Sequence, residues 1–184
     1  MVATDRKFNV MNLEKTIHSL KQKLYSVKCF DTQEEAAVYL DTQIDGKVVG
    51  FGDSKTMIDM RLYDRLSKHN TVYDPNQGVD YSGFLALAKK CLTTDIFLTS
   101  VNAMAETGEM VNIDGTGNRV AGPKNSLKYD LPTPCVVHYK KTGALKCFDC
   151  SHPERICNCI VTYLRKMEDV EDVEVILINE ELGF

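Results

Sequence analysis

Five thiols crowd together at Cys135, Cys147, Cys150, Cys157 and Cys159. Cys147-Phe148-Asp149-Cys150 is a C-x-x-C pair, a spacing that brings two sulfurs onto one metal with little backbone strain, and Cys135 and Cys157 supply two more. A tetrahedral set of four thiolates suits zinc or an iron–sulfur cluster, and spacing does not choose between them. The plainer alternative is a reduced set of structural or redox thiols. His138 and His152 are substitute ligands that read as ordinary exposed histidines. Cys29 and Cys91 stand apart in apolar surroundings and read as core thiols.

Two further runs carry polar function. Val48-Val49-Gly50-Phe51-Gly52-Asp53-Ser54-Lys55-Thr56 reads as a strand entering a small-residue turn and a helix. Gly50 and Gly52 would let the backbone approach an anion, while Ser54 and Thr56 would add hydroxyl donors at a helix start. The glycine spacing fits neither the dinucleotide fingerprint nor the P-loop, so a tight turn with an N-cap is the competing reading. The second run is Asn102 and Glu106 followed by Asn112-Ile113-Asp114-Gly115-Thr116-Gly117-Asn118-Arg119. Arg119 is suited to clamp a carboxylate or phosphate, with Asn102, Asp114, Gly115, Gly117 and Asn118 around it. Glu106 is a candidate general base or nucleophile. An Asx-type turn at Asp114-Gly115, with Arg119 paired to an acidic neighbour, is the structural alternative.

The elements that must position these groups alternate along the chain. Leu13, Ile17, Leu20 and Leu24 share a helical stripe. Val27 to Phe30 predicts a strand, and Thr32 with Glu35 forms a capping box ahead of a second helix. Lys47 to Phe51 predicts a strand, Met57 to Ser67 a helix, Thr71 to Tyr73 a strand, Tyr81 to Leu92 a helix and Asp95 to Ser100 a strand. Such alternation implies βαβ units and an α/β, Rossmann-like, mostly parallel sheet. Ligands of such sheets bind beyond the carboxyl ends of the strands, where Asn102 and Glu106 should fall. Beyond Thr107 the texture changes: Glu109 to Ile113, Ile160 to Leu164 and Val173 to Ile178 read as strands, and Gly115 to Leu131 as loop.

Composition narrows the function classes. With 184 residues and 43% apolar content the chain can bury the core of a single domain, residues 1–184. A net charge of −4 without basic clusters removes the electrostatic basis for nucleic-acid binding. No apolar run approaches the roughly 20 residues that cross a bilayer, and Met1 to Phe8 lacks a signal-peptide core. A cytoplasmic protein, with no membrane partner, is expected.

Taken together, the glycine run, Asn102-Ala103 with Glu106 to Glu109, Val111 to Ala121, Thr133-Pro134-Cys135, Cys147 to Asn158 and Asn179 to Phe184 resemble the LUD-domain family of lactate-utilisation proteins. The resemblance implies a fold similar to the sugar-phosphate isomerase and CoA-transferase group, with a Cys-rich C-terminal segment. It implies a small anionic or phosphorylated ligand on the glycine-rich loop. It also implies a place beside the iron–sulfur subunits of a lactate-oxidation system. The alternatives it leaves are an electron-transfer or assembly subunit centred on the cysteine site, and an isomerase- or transferase-like enzyme using Glu106. After Ala121 the family pattern runs through a further strand and helix, roughly 30 residues by ordinary element lengths, which this sequence lacks.

Overall fold

The computed structural model describes residues 12–114, 130–143, 148, 151–155, 157 and 159–182, with side chains 113, 114 and 159 left out. The junction after Ala121 and most of the expected 115–131 loop therefore lie outside the described residues. The chain divides into two compact units.

The first unit runs to Ser100 and adds Met104–Glu109 and the segment from Tyr163 onward. Helix α1 (Leu13–Gln22) starts at Asn12, whose side chain accepts the Lys15 N–H, and buries Thr16 and Leu20. The predicted stripe overruns by one turn: Leu24 takes a left-handed φ of 67° and is 53% exposed, because the chain must turn there into β1 (Ser26–Phe30). In α2 (Gln33–Gln43) the capping box forms as expected. The Thr32 hydroxyl accepts the Glu35 N–H at 3.2 Å, and the Glu35 carboxylate accepts the Thr32 N–H at 3.1 Å. Ala36, Ala37 and Leu40 then pack inward, and the two alanines let the helix lie close to the sheet.

Strands β2 (Val48–Phe51), β3 (Thr71–Tyr73) and β4 (Ile96–Leu98) form one parallel sheet in the order β3-β2-β4, with Gly50 opposite both Tyr73 and Phe97. Strand β1 pairs in parallel with β8 (Glu174–Ile178), Ser26 opposite Glu174 and Phe30 opposite Ile178. The mixed α/β fold with parallel pairing thus matches the sequence pattern. Its core joins α2 to Val49, Phe51, Met57, Met60, Leu62 and Leu66, with Ile96, Leu98, Ile176 and Ile178 against it. Cys91 is buried as expected, and burial raises its thiol pKa. Cys29 departs from expectation and is exposed, since among the described residues β1 has a partner on one side only.

The region expected to be one helix from Met57 to Ser67 is two short ones, α3 (Lys55–Asp59) and α4 (Leu62–Leu66), broken at Arg61. A turn of 3₁₀ helix at Pro75–Gln77 leads to α5 (Tyr81–Lys90), and a second at Cys91–Thr93 leads to β4.

The second unit, Val101–Ala103 with Met110–Thr162, holds β6 (Met110–Asp114), α6 (Pro134–Thr142) and all but the last residue each of β5 (Ala103–Met104) and β7 (Cys159–Tyr163), with sheet order β5-β6-β7. Helix α6 is an element the sequence reading missed. Its signals were present: Thr133 at the N-cap, Pro134 in the first turn and a left-handed Gly143 after the last residue.

The turn leading from β5 to β6 is fastened to α1 by two ion pairs. The Glu109 carboxylate accepts from Lys23 Nζ at 2.7 Å and from the Thr107 hydroxyl, which hold its pKa down at about 2. A folded-state pKa below the ordinary carboxylate value stabilises the fold above about pH 4.5 and ceases to as pH falls toward 2. Glu109→Gln should therefore melt below wild type at neutral pH, the gap closing as pH falls from about 4.5 to 2. A gap that persists undiminished at the acid end would show that the carboxylate acts through its shape and not its charge.

Candidate functional site

Because β2 and β3 are parallel and in register, their carboxyl ends open on the same edge of the sheet. Gly52 follows β2 and continues its ladder by donating its N–H to the Leu98 carbonyl at 2.8 Å. Ser54 comes next, 1% exposed. Its hydroxyl donates to Ser100 Oγ at 2.9 Å and accepts the Met57 N–H at 3.3 Å, so it ties the end of β2 to the end of β4 while capping α3. Asp74 follows β3, 4% exposed. One carboxylate oxygen accepts the Asn76 backbone N–H at 2.9 Å and side-chain Nδ2 at 3.0 Å; the other accepts Gln77 Nε2 at 3.4 Å. These bonds make burial of the charge tolerable and fix the 3₁₀ turn over the sheet edge.

A cleft of about 290 Å³ lies at this edge. Its lining includes the apolar or aromatic Phe51, Met57, Ile58 and Tyr63 and the polar Arg61, Asp64, Asp74, Asn76 and Gln77, with Gly52 and Ser54 also lining it. Arg61 has φ 51° and ψ 39°, a left-handed conformation that costs a non-glycine residue about 1–2 kcal/mol.

Of the residues the sequence singled out, Gly52 and Ser54 line the cleft, whereas Gly50, Thr56, Asn102 and Glu106 do not. Gly50 has a packing reason of its own: a Cβ there would lie 3.0 Å from the Cys91 Cα and 2.8 Å from Thr94 Oγ1. Neither Gly50 nor Gly52 has positive φ. Glu106 sits at the start of α1, accepting the Asn12 N–H at 2.9 Å and the Lys15 ammonium at 3.0 Å. The backbone bond first and then Lys15 lower its pKa, which leaves it ionised at neutral pH and weakens it as a base. Asn102 donates its N–H to the Val111 carbonyl and to Oδ1 of Asn112, which is 2% exposed.

Gly115, Gly117, Asn118 and Arg119 lie outside the described residues, as does the side chain of Asp114. So do Cys147 and Cys150. Cys135 Sγ lies 3.1 Å from Thr133 Oγ1, and Cys157 is half-buried. Among the described residues no three His, Cys, Asp or Glu side chains gather as a metal site. His138 and His152 are half-buried where exposure was expected. His138 meets the Phe148 ring edge-on, and His152 Nδ1 accepts the Glu154 N–H.

The polar cleft residues that sequence reading missed are Arg61, Asp64, Asp74, Asn76 and Gln77. The strand-end rule applied to β4 would have found the last three had it also been applied to Tyr73-Asp74-Pro75-Asn76-Gln77.

No described helix is long and apolar enough to cross a membrane. No curated protein and no solved structure matches the chain. The family model of the LUD domain matches residues 13–127, well over half of its length.

Proposed function

The chain belongs to the LUD domain family, and from that premise we propose a lactate-utilisation-type protein that holds a small anionic or phosphorylated ligand at the ends of β2 and β3. One observation carries the reading: the cleft opens at the carboxyl ends of two adjacent parallel strands, the place where open α/β sheets bind ligands, and it contains a cation. The sugar-phosphate isomerase and CoA-transferase type of fold belongs to the same proposal, supported by the parallel β3-β2-β4 order with helices between the strands. The run of Asn102, Asp114, Gly115, Gly117, Asn118 and Arg119 is proposed separately, as a set of anion donors of its own.

Cys135, Cys147, Cys150 and Cys157 would hold an iron–sulfur cluster or zinc. The C-x-x-C spacing of Cys147 and Cys150 and the thiolate chemistry of all four suit this, sulfur being the donor that both metals take. A cluster there would supply one-electron transfer, consistent with a place beside iron–sulfur subunits in lactate oxidation.

A single anaerobic preparation tests both parts. Brown protein with iron and acid-labile sulfide is expected, colourless protein with stoichiometric zinc would reduce the site to a structural staple, and metal-free thiols would end the metal proposal. Melted with individual small carboxylates and phosphate esters, the same protein should gain stability from at least one. A ligand at a hundredfold excess over Kd adds about 2.7 kcal/mol. A melting point indifferent to every one of them removes the anion-binding reading.

A further inference from the structure

Arg61 occupies a backbone position that favours glycine, and nothing in the surrounding fold accounts for an arginine there. The left-handed conformation crowds any residue with a Cβ. The side chain makes no capping hydrogen bond to α4, and it is exposed, so it fills no core. Among the described residues its guanidinium has neither a hydrogen bond nor an ion pair. Backbone strain kept for a side chain without structural work points to the site that the side chain borders. Arg61 borders the cleft.

The other walls say what the cation would meet. Asp64 and Asp74 line the same space, so a polyanion placed there would face two carboxylates, whereas a single negative charge can be matched by the one guanidinium. The Asp74 oxygens are already taken by Asn76 and Gln77, which argues against a cation as the occupant. Phe51, Met57, Ile58 and Tyr63 add apolar lining that a bare inorganic anion would leave in contact with water. Its 290 Å³ is also equivalent to about ten waters, more than acetate or phosphate fills.

We propose that Arg61 seats the charged group of the cleft's ligand, and that this ligand is a small organic monoanion whose apolar or aromatic body lies against Phe51, Met57, Ile58 and Tyr63. The inference rests on the strand-end reading of the cleft and narrows it. Arg61 sets specificity for one negative charge, and the apolar lining sets it for a carbon body.

Ligand-observed NMR titration of the full chain tests this with four probes: phenylacetate, acetate, benzyl alcohol and inorganic triphosphate. Wild type should bind phenylacetate more tightly than the other three. Arg61→Gly suits the left-handed backbone, so it should melt at or above the wild-type temperature. It should nevertheless bind phenylacetate roughly tenfold or more weakly, with benzyl alcohol unaffected. Arg61→Lys, which keeps the charge without the planar fork, should fall between. Unchanged phenylacetate affinity in Arg61→Gly, or a large drop in its melting temperature, overturns the role of Arg61 and leaves the cleft reading standing. Acetate or triphosphate binding as tightly as phenylacetate overturns the organic monoanion and still supports an anion site. Binding of no anion by wild type overturns both.

Discussion

Gly78→Ala should lower the melting temperature by roughly 6–12 °C, the shift expected of a loss on the order of 3 kcal/mol in a chain of this length. A Cβ at Gly78 would stand 2.4 Å from the Phe84 nitrogen, 2.7 Å from the Gly83 carbonyl carbon and 2.9 Å from the Phe84 Cα. All three are backbone atoms, so no rotamer change relieves the overlap, and the first turn of α5 must move off the Pro75–Gln77 turn. That turn carries Asp74, Asn76 and Gln77, so the same displacement should distort the polar lining of the cleft. Gly83→Ala is the matched control. Its Cβ would meet nothing closer than 3.4 Å, and alanine within a helix gains about 0.5–1 kcal/mol over glycine. Equal melting temperatures for the two variants would mean that the Gly78 contact yields without cost.

Leu66→Ala should cost about 2–5 kcal/mol, because a completely buried leucine is removed from the centre of the cluster that joins α2, α4 and the β2 sheet. Leu92→Ala, at a residue 82% exposed, should stay within about 0.5 kcal/mol of wild type. Denaturant midpoints at constant slope separate the two. A Leu66→Ala loss no larger than that of Leu92→Ala would show that α4 is not part of the cooperative core.

What was legible in the sequence follows from how local each cause is. The capping box at Thr32 and Glu35 and the strand at Thr71–Tyr73 were legible because neighbouring residues decide them. The break at Arg61 was not, since the apolar spacing from Met57 to Leu66 continues across it and only packing divides the two helices. Helix α6 was hidden by Val136, Val137 and Tyr139, residues of strand propensity whose placement is decided by Thr133, Pro134 and Gly143 at the ends. At the candidate site, Ser54 was readable as a cap and a hydroxyl donor, and the structure shows it also bonded to Ser100. Asp74, Asn76 and Gln77 escaped because a three-residue strand gives little notice that its end matters. Gly50 shows the opposite difficulty: its close approach was expected toward a ligand, and the structure provides one toward Cys91, a contact no linear spacing reveals.

The pairing of β1 with β8 has a consequence for folding order. Ser26 lies opposite Glu174, so the pair joins two segments that most of the described residues separate. Closure of so long a loop is slow, and until it closes Ser26–Phe30 presents an open strand edge. A species in which β8 has not yet docked is therefore prone to associate through that edge.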